Sequence, residues 1–204
     1  MGFGYIIFGL FFVLFDFHFQ KVNILPNFIG FLLINVGLVE IIGRINNSYL
    51  QEGKKTLRIL IAFSALEMII GYSSILNGLI NNPATFHGKV FSILFVLTYL
   101  TLLIYLFFNL TRGLEHEAKK IEALTLSIKL RSLYTLFFII QSIIGVLSLV
   151  GIIINSKLNF SYTNGGGIAL LLFILSFAGY IYLFLQIRAV MKLAEKTFQP
   201  GHGT

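Results

Sequence analysis

A chain of 204 residues that is 57% hydrophobic and only 11% charged cannot cover itself with a water-solvated surface, since soluble domains carry about a quarter charged residues. The absence of cysteine excludes disulfide exchange, thiolate catalysis and cysteine-ligated metals. The net charge of +7 does not point to nucleic acid, because no segment is long and polar enough to form a solvated basic domain.

Six apolar runs, at approximately 2–17, 26–45, 57–80, 90–111, 133–155 and 167–187, predict six helices. Backbone in lipid must satisfy its own polar groups, and continuous hydrophobicity does so as helices rather than barrel strands. Crossing a hydrocarbon core takes about 20 helical residues, which five runs supply and the first falls short of. The expected fold class is an all-α polytopic integral membrane protein, a single transmembrane domain over 1–204 with no inserted soluble domain. The first run has no basic n-region and no small-residue cleavage site, so it reads as a retained helix rather than a signal peptide.

After the first run, Phe15-Asp16-Phe17-His18-Phe19-Gln20 alternates apolar and polar residues. That period of two predicts a short extended or re-entrant segment with Asp16 and His18 on one face. Both are candidate outer-loop site residues, with an interfacial salt bridge as the plainer reading. Pro26 opens the second run, where proline suits a first helical turn. Glu40 and Arg44, four apart, read as an ordinary helical pair.

The first helix, this segment and Ile24-Leu25-Pro26-Asn27-Phe28-Ile29-Gly30 resemble a group of small integral membrane proteins of Gram-positive bacteria, over roughly residues 4–44. The resemblance implies a bacterial cytoplasmic membrane and carries no activity. The group often has an acidic residue after the proline, where this chain has Asn27.

Gly53 reads as a break in the basic loop before the third run. Within that run Ser64, Glu67, Gly71, Ser74 and Gly78 recur at helical spacing, a small and polar face suited to close contact with other helices. Glu67 stands out, because an acid inside the membrane is costly and reads first as a functional residue. Counting depth along alternating helices sets Asn35, Glu67, Tyr99 and Gln141 near the midplane, with Tyr180 nearby. They are candidates for binding a cation, a proton or a ligand amine. The structural alternative is a Glu67 carboxyl holding helices together by hydrogen bonds to Asn35 or Gln141.

Asn81-Asn82-Pro83 and Asn164-Gly165-Gly166-Gly167 are turn chemistry. Between runs four and five, Arg112–Arg131 spaces its apolar residues as an amphipathic interfacial helix does. A plain helical extension fits equally well.

Lys and Arg orient the bundle. Twelve (Arg44, Lys54, Lys55, Arg58, Arg112, Lys119, Lys120, Lys129, Arg131, Arg188, Lys192 and Lys196) fall on one side, and Lys21, Lys89 and Lys157 on the other. By the positive-inside rule both termini are cytoplasmic, and the basic loops face anionic lipid.

Six helices of this total length also resemble, in size and topology, the substrate-binding subunits of vitamin transporters driven by a separate ATPase. Those subunits carry an alanine-x-x-x-alanine contact in helix one, where this chain has Gly4 and Gly9. The leading functional expectation is a small-solute binding or transport subunit with a polar pocket around Glu67. The alternative is a non-catalytic accessory protein that engages a partner membrane protein or ATPase subunit. No catalytic residues, metal ligands or cofactor are expected, since catalysis needs convergent acids, a Ser/His pair or a metal.

Overall fold

Apolar runs continuous over four or more turns leave the backbone no partner except itself, and each run coincides over most of its described residues with a helix. The computed structural model describes residues 2–15, 18–19, 22–23, 27–45, 47–73, 85–154 and 166–199. In chain order these form α1 (Phe3–Leu14), β1 (His18–Phe19), β2 (Val22–Asn23), α2 (Asn27–Ile42), α3 (Ser48–Tyr72), α4 (Phe86–Lys120), α5 (Leu124–Ile154) and α6 (Gly166–Phe198). The two short strands pair antiparallel, His18 opposite Asn23 and Phe19 opposite Val22, so the alternating segment pairs with the stretch that follows it.

The expectation of six transmembrane helices is met only in part. Among the described residues three helices, over Phe86–Lys120, Leu124–Ile153 and Ile174–Phe198, are long and apolar enough to cross a membrane. α1 and α2 have 12 and 16 residues. α3 has 25, but its first half carries Glu52, Lys54, Lys55 and Arg58.

The boundaries also move. α3 begins nine residues before its apolar run, α4 continues nine past its run, α5 begins nine before and α6 continues eleven past. The runs mark the oil-soluble part of each helix, while the polar flanks stay helical through short-range ion pairs. Glu52–Lys55 at 2.6 Å, Arg112–Glu115 at 3.0 Å, Glu115–Lys119 at 2.8 Å and Glu117–Lys120 at 2.9 Å supply them. The segment 112–131 is therefore an extension of two helices and not a separate interfacial helix. Gly53, expected in a loop, is a buried residue of α3, where its missing side chain lets α3 lie against Asn109 and Leu106.

The turn from α4 to α5 is a Schellman motif. The Ala123 amide donates to the Ala118 carbonyl at 2.8 Å and the Glu122 amide to the Lys119 carbonyl at 3.2 Å. The motif needs a left-handed residue after the cap, and Glu122 takes it at φ 56°.

Each helix lies against its neighbour in sequence, and α6 closes on α1, which makes a ring of six. α1 and α2 meet through glycines seven residues apart on each helix, Gly2 against Gly37 and Gly9 against Gly30. A Cβ on Gly9 would stand 2.5 Å from the Gly30 carbonyl, and one on Gly30 2.7 Å from the Gly9 carbonyl. Elsewhere aromatic side chains fill the seams. Phe107 of α4 stacks on Phe137 of α5 at 3.9 Å, and Phe31 of α2 meets Tyr99 of α4 at 6.2 Å.

Much of the core lies toward one end of the ring. Leu50, Leu57, Leu110, Leu114, Ala118, Leu130, Ile187, Met191 and Ala194 are all at most 3% exposed. This is the end that carries the twelve cations.

Candidate functional site

The side-to-side contacts set the depth of each candidate residue. Phe31 meets Tyr99, and a Cβ on Gly53 would approach both Leu38 and Asn109, so Asn35 of α2 lies level with α4 near residue 103. Phe137 stacks on Phe107, and Gly145 meets Leu100, so Gln141 of α5 lies level with the same part of α4. Asn35 and Gln141 share one layer.

Glu67 belongs to another. Phe63 of α3 stacks on Phe95 at 4.2 Å and on Tyr99 at 6.5 Å. Glu67 stands one turn farther from the basic end, and Asn35 one turn nearer to it than Phe31. Eight residues of helix separate the two layers, about 12 Å at 1.5 Å per residue. Tyr180 contacts Phe15 at 6.4 Å, beyond the level of Gly9 and Gly30, which puts it near the depth of Glu67. Tyr99 stands between the layers. The midplane cluster expected from counting residues is thus two tiers, because α3 starts at Ser48 and its register with α4 carries Glu67 toward the outer end. Asp16 lies outside the described residues. His18 is described as backbone in β1 only.

The two tiers differ in burial. Along α3, one face carries Leu50, Gly53, Leu57, Leu60 and Ser64, all buried, and the same face continues in Glu67 and Gly71, both exposed. Along α5 the face of Leu133, Phe137, Gln141 and Gly145 is buried, and Ser148 continues it exposed. Along α6 the face of Leu183, Ile187 and Ala194 is buried, whereas Tyr180 and Ser176 are half-buried. Among the described residues, the faces that form the core at the basic end become more polar and less buried toward the other end. A Cβ on Gly71 or Gly179 would meet nothing within 4 Å.

Asn35 Oδ1 is buried and accepts no hydrogen bond among the described residues. An unsatisfied buried acceptor costs about 1–3 kcal/mol. Ser64 and Ser148 donate instead to their own helix, to the Ile61 carbonyl at 3.1 Å and the Ile144 carbonyl at 2.9 Å.

Sequence reasoning missed a second polar cluster at the basic end. Glu115 is 4% exposed and holds Arg112 and Lys119 on its two carboxylate oxygens at 3.0 and 2.8 Å. Asn47 ties the α2–α3 connection to it. Its Oδ1 caps α3 by accepting from the Leu50 amide at 3.0 Å, while Nδ2 donates to the Gly113 carbonyl at 3.0 Å and to Glu117 Oε1 at 3.2 Å. Burial opposes ionisation of Glu115, but the hydrogen bond from Lys119 and the charges of Arg112 and Lys119 outweigh it and hold the carboxyl below its ordinary value. Glu117 is lowered likewise, burial being outweighed by hydrogen bonds from Lys120, His116 and Asn47. The spacing Arg112-Glu115-Lys119 was the available signal. Asn47, distant in sequence, gave none.

No protein-family model, curated protein or solved structure matches the chain.

Proposed function

We propose that this chain is a polytopic protein of the cytoplasmic membrane, with both termini and the basic end in the cytoplasm, that binds a small solute as a binding or transport subunit. The solute enters the open outer end of the helix ring. The observation that carries this reading is the change along the inner faces of α3, α5 and α6, which are buried and largely apolar at the basic end and become exposed (α3, α5) or half-buried (α6) and more polar toward the other. A closed base beneath an open, polar mouth is the shape of a binding site loaded from one side.

Glu67 and Tyr180 form the upper tier of this site, with Asn35 and Gln141 as its floor. A carboxylate above and an unsatisfied carbonyl oxygen below favour a solute that donates hydrogen bonds and carries positive charge, such as a small amine. Nearness to the outer end lowers the cost of holding Glu67 ionised, because charge is least tolerated at the bilayer centre. The chain supplies no nucleotide-binding motif, so uptake against a gradient assigns ATP hydrolysis to a partner subunit.

The basic end faces the anionic leaflet. Among the described residues Arg188 and Lys192 make no ion pair, which leaves them for lipid phosphate.

Native mass spectrometry after gentle extraction from the host membrane tests the reading. A stoichiometric small cation or amine, lost in Glu67→Gln while the thermal midpoint is kept, is the expected result. A protein carrying only bulk lipid, or a Glu67→Gln variant that loses stability and nothing else, makes Glu67 a structural residue and removes the proposal.

A further inference from the structure

At the elbow between α4 and α5 the helices present an apolar face that their own bundle does not cover. Ile121, Leu124 and Ile128 are 52%, 68% and 69% exposed. Leu126, Ser127, Leu130 and Leu133 of the same two turns are buried in the bundle, so α5 begins with one apolar face turned inward and a second turned outward.

Lipid does not reach Ile121 and Leu124, at the tip of this outer face. α4 continues nine residues past Thr111, about 13 Å at 1.5 Å per residue. The headgroup layer beyond the hydrocarbon is only roughly 5–7 Å thick on each side. Leu124, nine residues before the apolar run of α5 resumes at Leu133, stands equally far out.

A second copy is a poor occupant. The rim carries Lys129 and Arg131, both exposed and without an ion pair among the described residues, so two such faces repel. Arg131 follows Leu124 at i+7 and Ile128 at i+3, on the same helical face, which aligns positive charge with the apolar stripe.

We infer that the Ile121–Leu124–Ile128 face, rimmed by Lys129 and Arg131, docks an amphipathic helix of a cytoplasmic partner protein whose apolar stripe is flanked by Asp or Glu. This is the helix-in-groove mode of recognition, with apolar anchors supplying affinity and charge supplying orientation. The inference rests on the proposed orientation, in which the basic end is cytoplasmic, and it deepens the partner-subunit reading.

The probe is a synthetic 18-residue helical peptide with a leucine stripe flanked by glutamates, titrated onto the full-length protein in nanodiscs of neutral lipid. A second peptide with lysines in place of the glutamates is the control. The acidic peptide is expected to bind at least tenfold more tightly than the basic one. Ile128→Asn is expected to weaken it at least tenfold, and Lys129→Glu at least threefold with higher salt abolishing the difference. Equal binding of both peptides, or no effect of Ile128→Asn, overturns the inference. A photocrosslinker at position 124 in host cells adds the native occupant. A product carrying an acidic amphipathic cytoplasmic helix supports the inference, whereas a chain-to-chain or lipid product overturns it. Leu124→Cys, the only thiol in such a chain, separates the two readings: modification from outside intact cells refutes the orientation, and modification from the cytoplasmic side with no acidic-peptide binding refutes the docking alone.

Discussion

A methyl group added to Gly9 tests the α1–α2 contact against a built-in control. In a helix interior, Gly→Ala gains about 0.8–1 kcal/mol from propensity alone. At Gly9 the new Cβ would lie 2.5 Å from the Gly30 carbonyl oxygen, 2.6 Å from Ile34 Cγ1 and 2.9 Å from the Ile34 amide nitrogen. Two of these neighbours are backbone and cannot rotate away, so α1 and α2 must separate by about 0.9 Å to reach the 3.4 Å of an ordinary contact. A gap of 0.5–1 Å forfeits a quarter to a half of the dispersion attraction across a seam, and overfilled contacts typically cost about 1–3 kcal/mol. The loss exceeds the propensity gain, and Gly9→Ala is expected to destabilise by about 1–2 kcal/mol. Gly4 lies on the same helix with nothing within 4 Å of its Cβ position, so Gly4→Ala keeps only the gain. Thermal unfolding of both variants in one detergent reads the difference as opposite shifts of the midpoint. A Gly9→Ala protein as stable as Gly4→Ala would refute the close approach of α1 and α2.

Three further outcomes follow from the basic end. Asn47→Ala removes a helix cap and two hydrogen bonds to α4, and is expected to cost about 1–2 kcal/mol in the same assay. Glu122→Gly relieves a left-handed residue at φ 56°. The relief of about 1–2 kcal/mol exceeds the added flexibility of the unfolded chain, about 0.4–1 kcal/mol, so the midpoint rises. Glu115 and Glu117 have folded pKa values below the ordinary 4.5. Carboxyls shifted in that direction stabilise the fold above the unfolded pKa, and that contribution is lost as pH falls through the folded values. The thermal midpoint is therefore expected to drop as pH falls below about 4.5, and Glu115→Gln is expected to flatten that drop.

The placement of helices was legible because lipid solubility is written into continuous apolar runs. Their true length was not. The nine residues on each side of the α4–α5 elbow are helical through a shared core and, on the α4 side, local ion pairs, which hydropathy does not register. Glu67 shows a different limit. Its spacing with Ser64 and Gly71 correctly identifies one face of α3, the face that is buried from Leu50 to Ser64. Burial along that face depends on how far the neighbouring helices remain in contact, and a single helix carries no record of that. Depth failed for a related reason. Counting from loop to loop assumes that helices start level, whereas the Phe63–Phe95 and Phe31–Tyr99 contacts show the actual register. Asn35 and Gln141, on helices bracketed by such contacts, fall level with the same part of α4.

Cysteine scanning along that face of α3 tests the central claim most directly, since the chain has no native cysteine. Single variants Leu60→Cys, Glu67→Cys and Gly71→Cys are treated with a membrane-impermeant maleimide, first on intact cells and then on inside-out vesicles. A ring closed at its basic end and open to the outside predicts that Glu67→Cys and Gly71→Cys react in intact cells, and that Leu60→Cys reacts in neither preparation. Reaction of Glu67→Cys and Gly71→Cys only in inside-out vesicles, or in neither preparation, would contradict it.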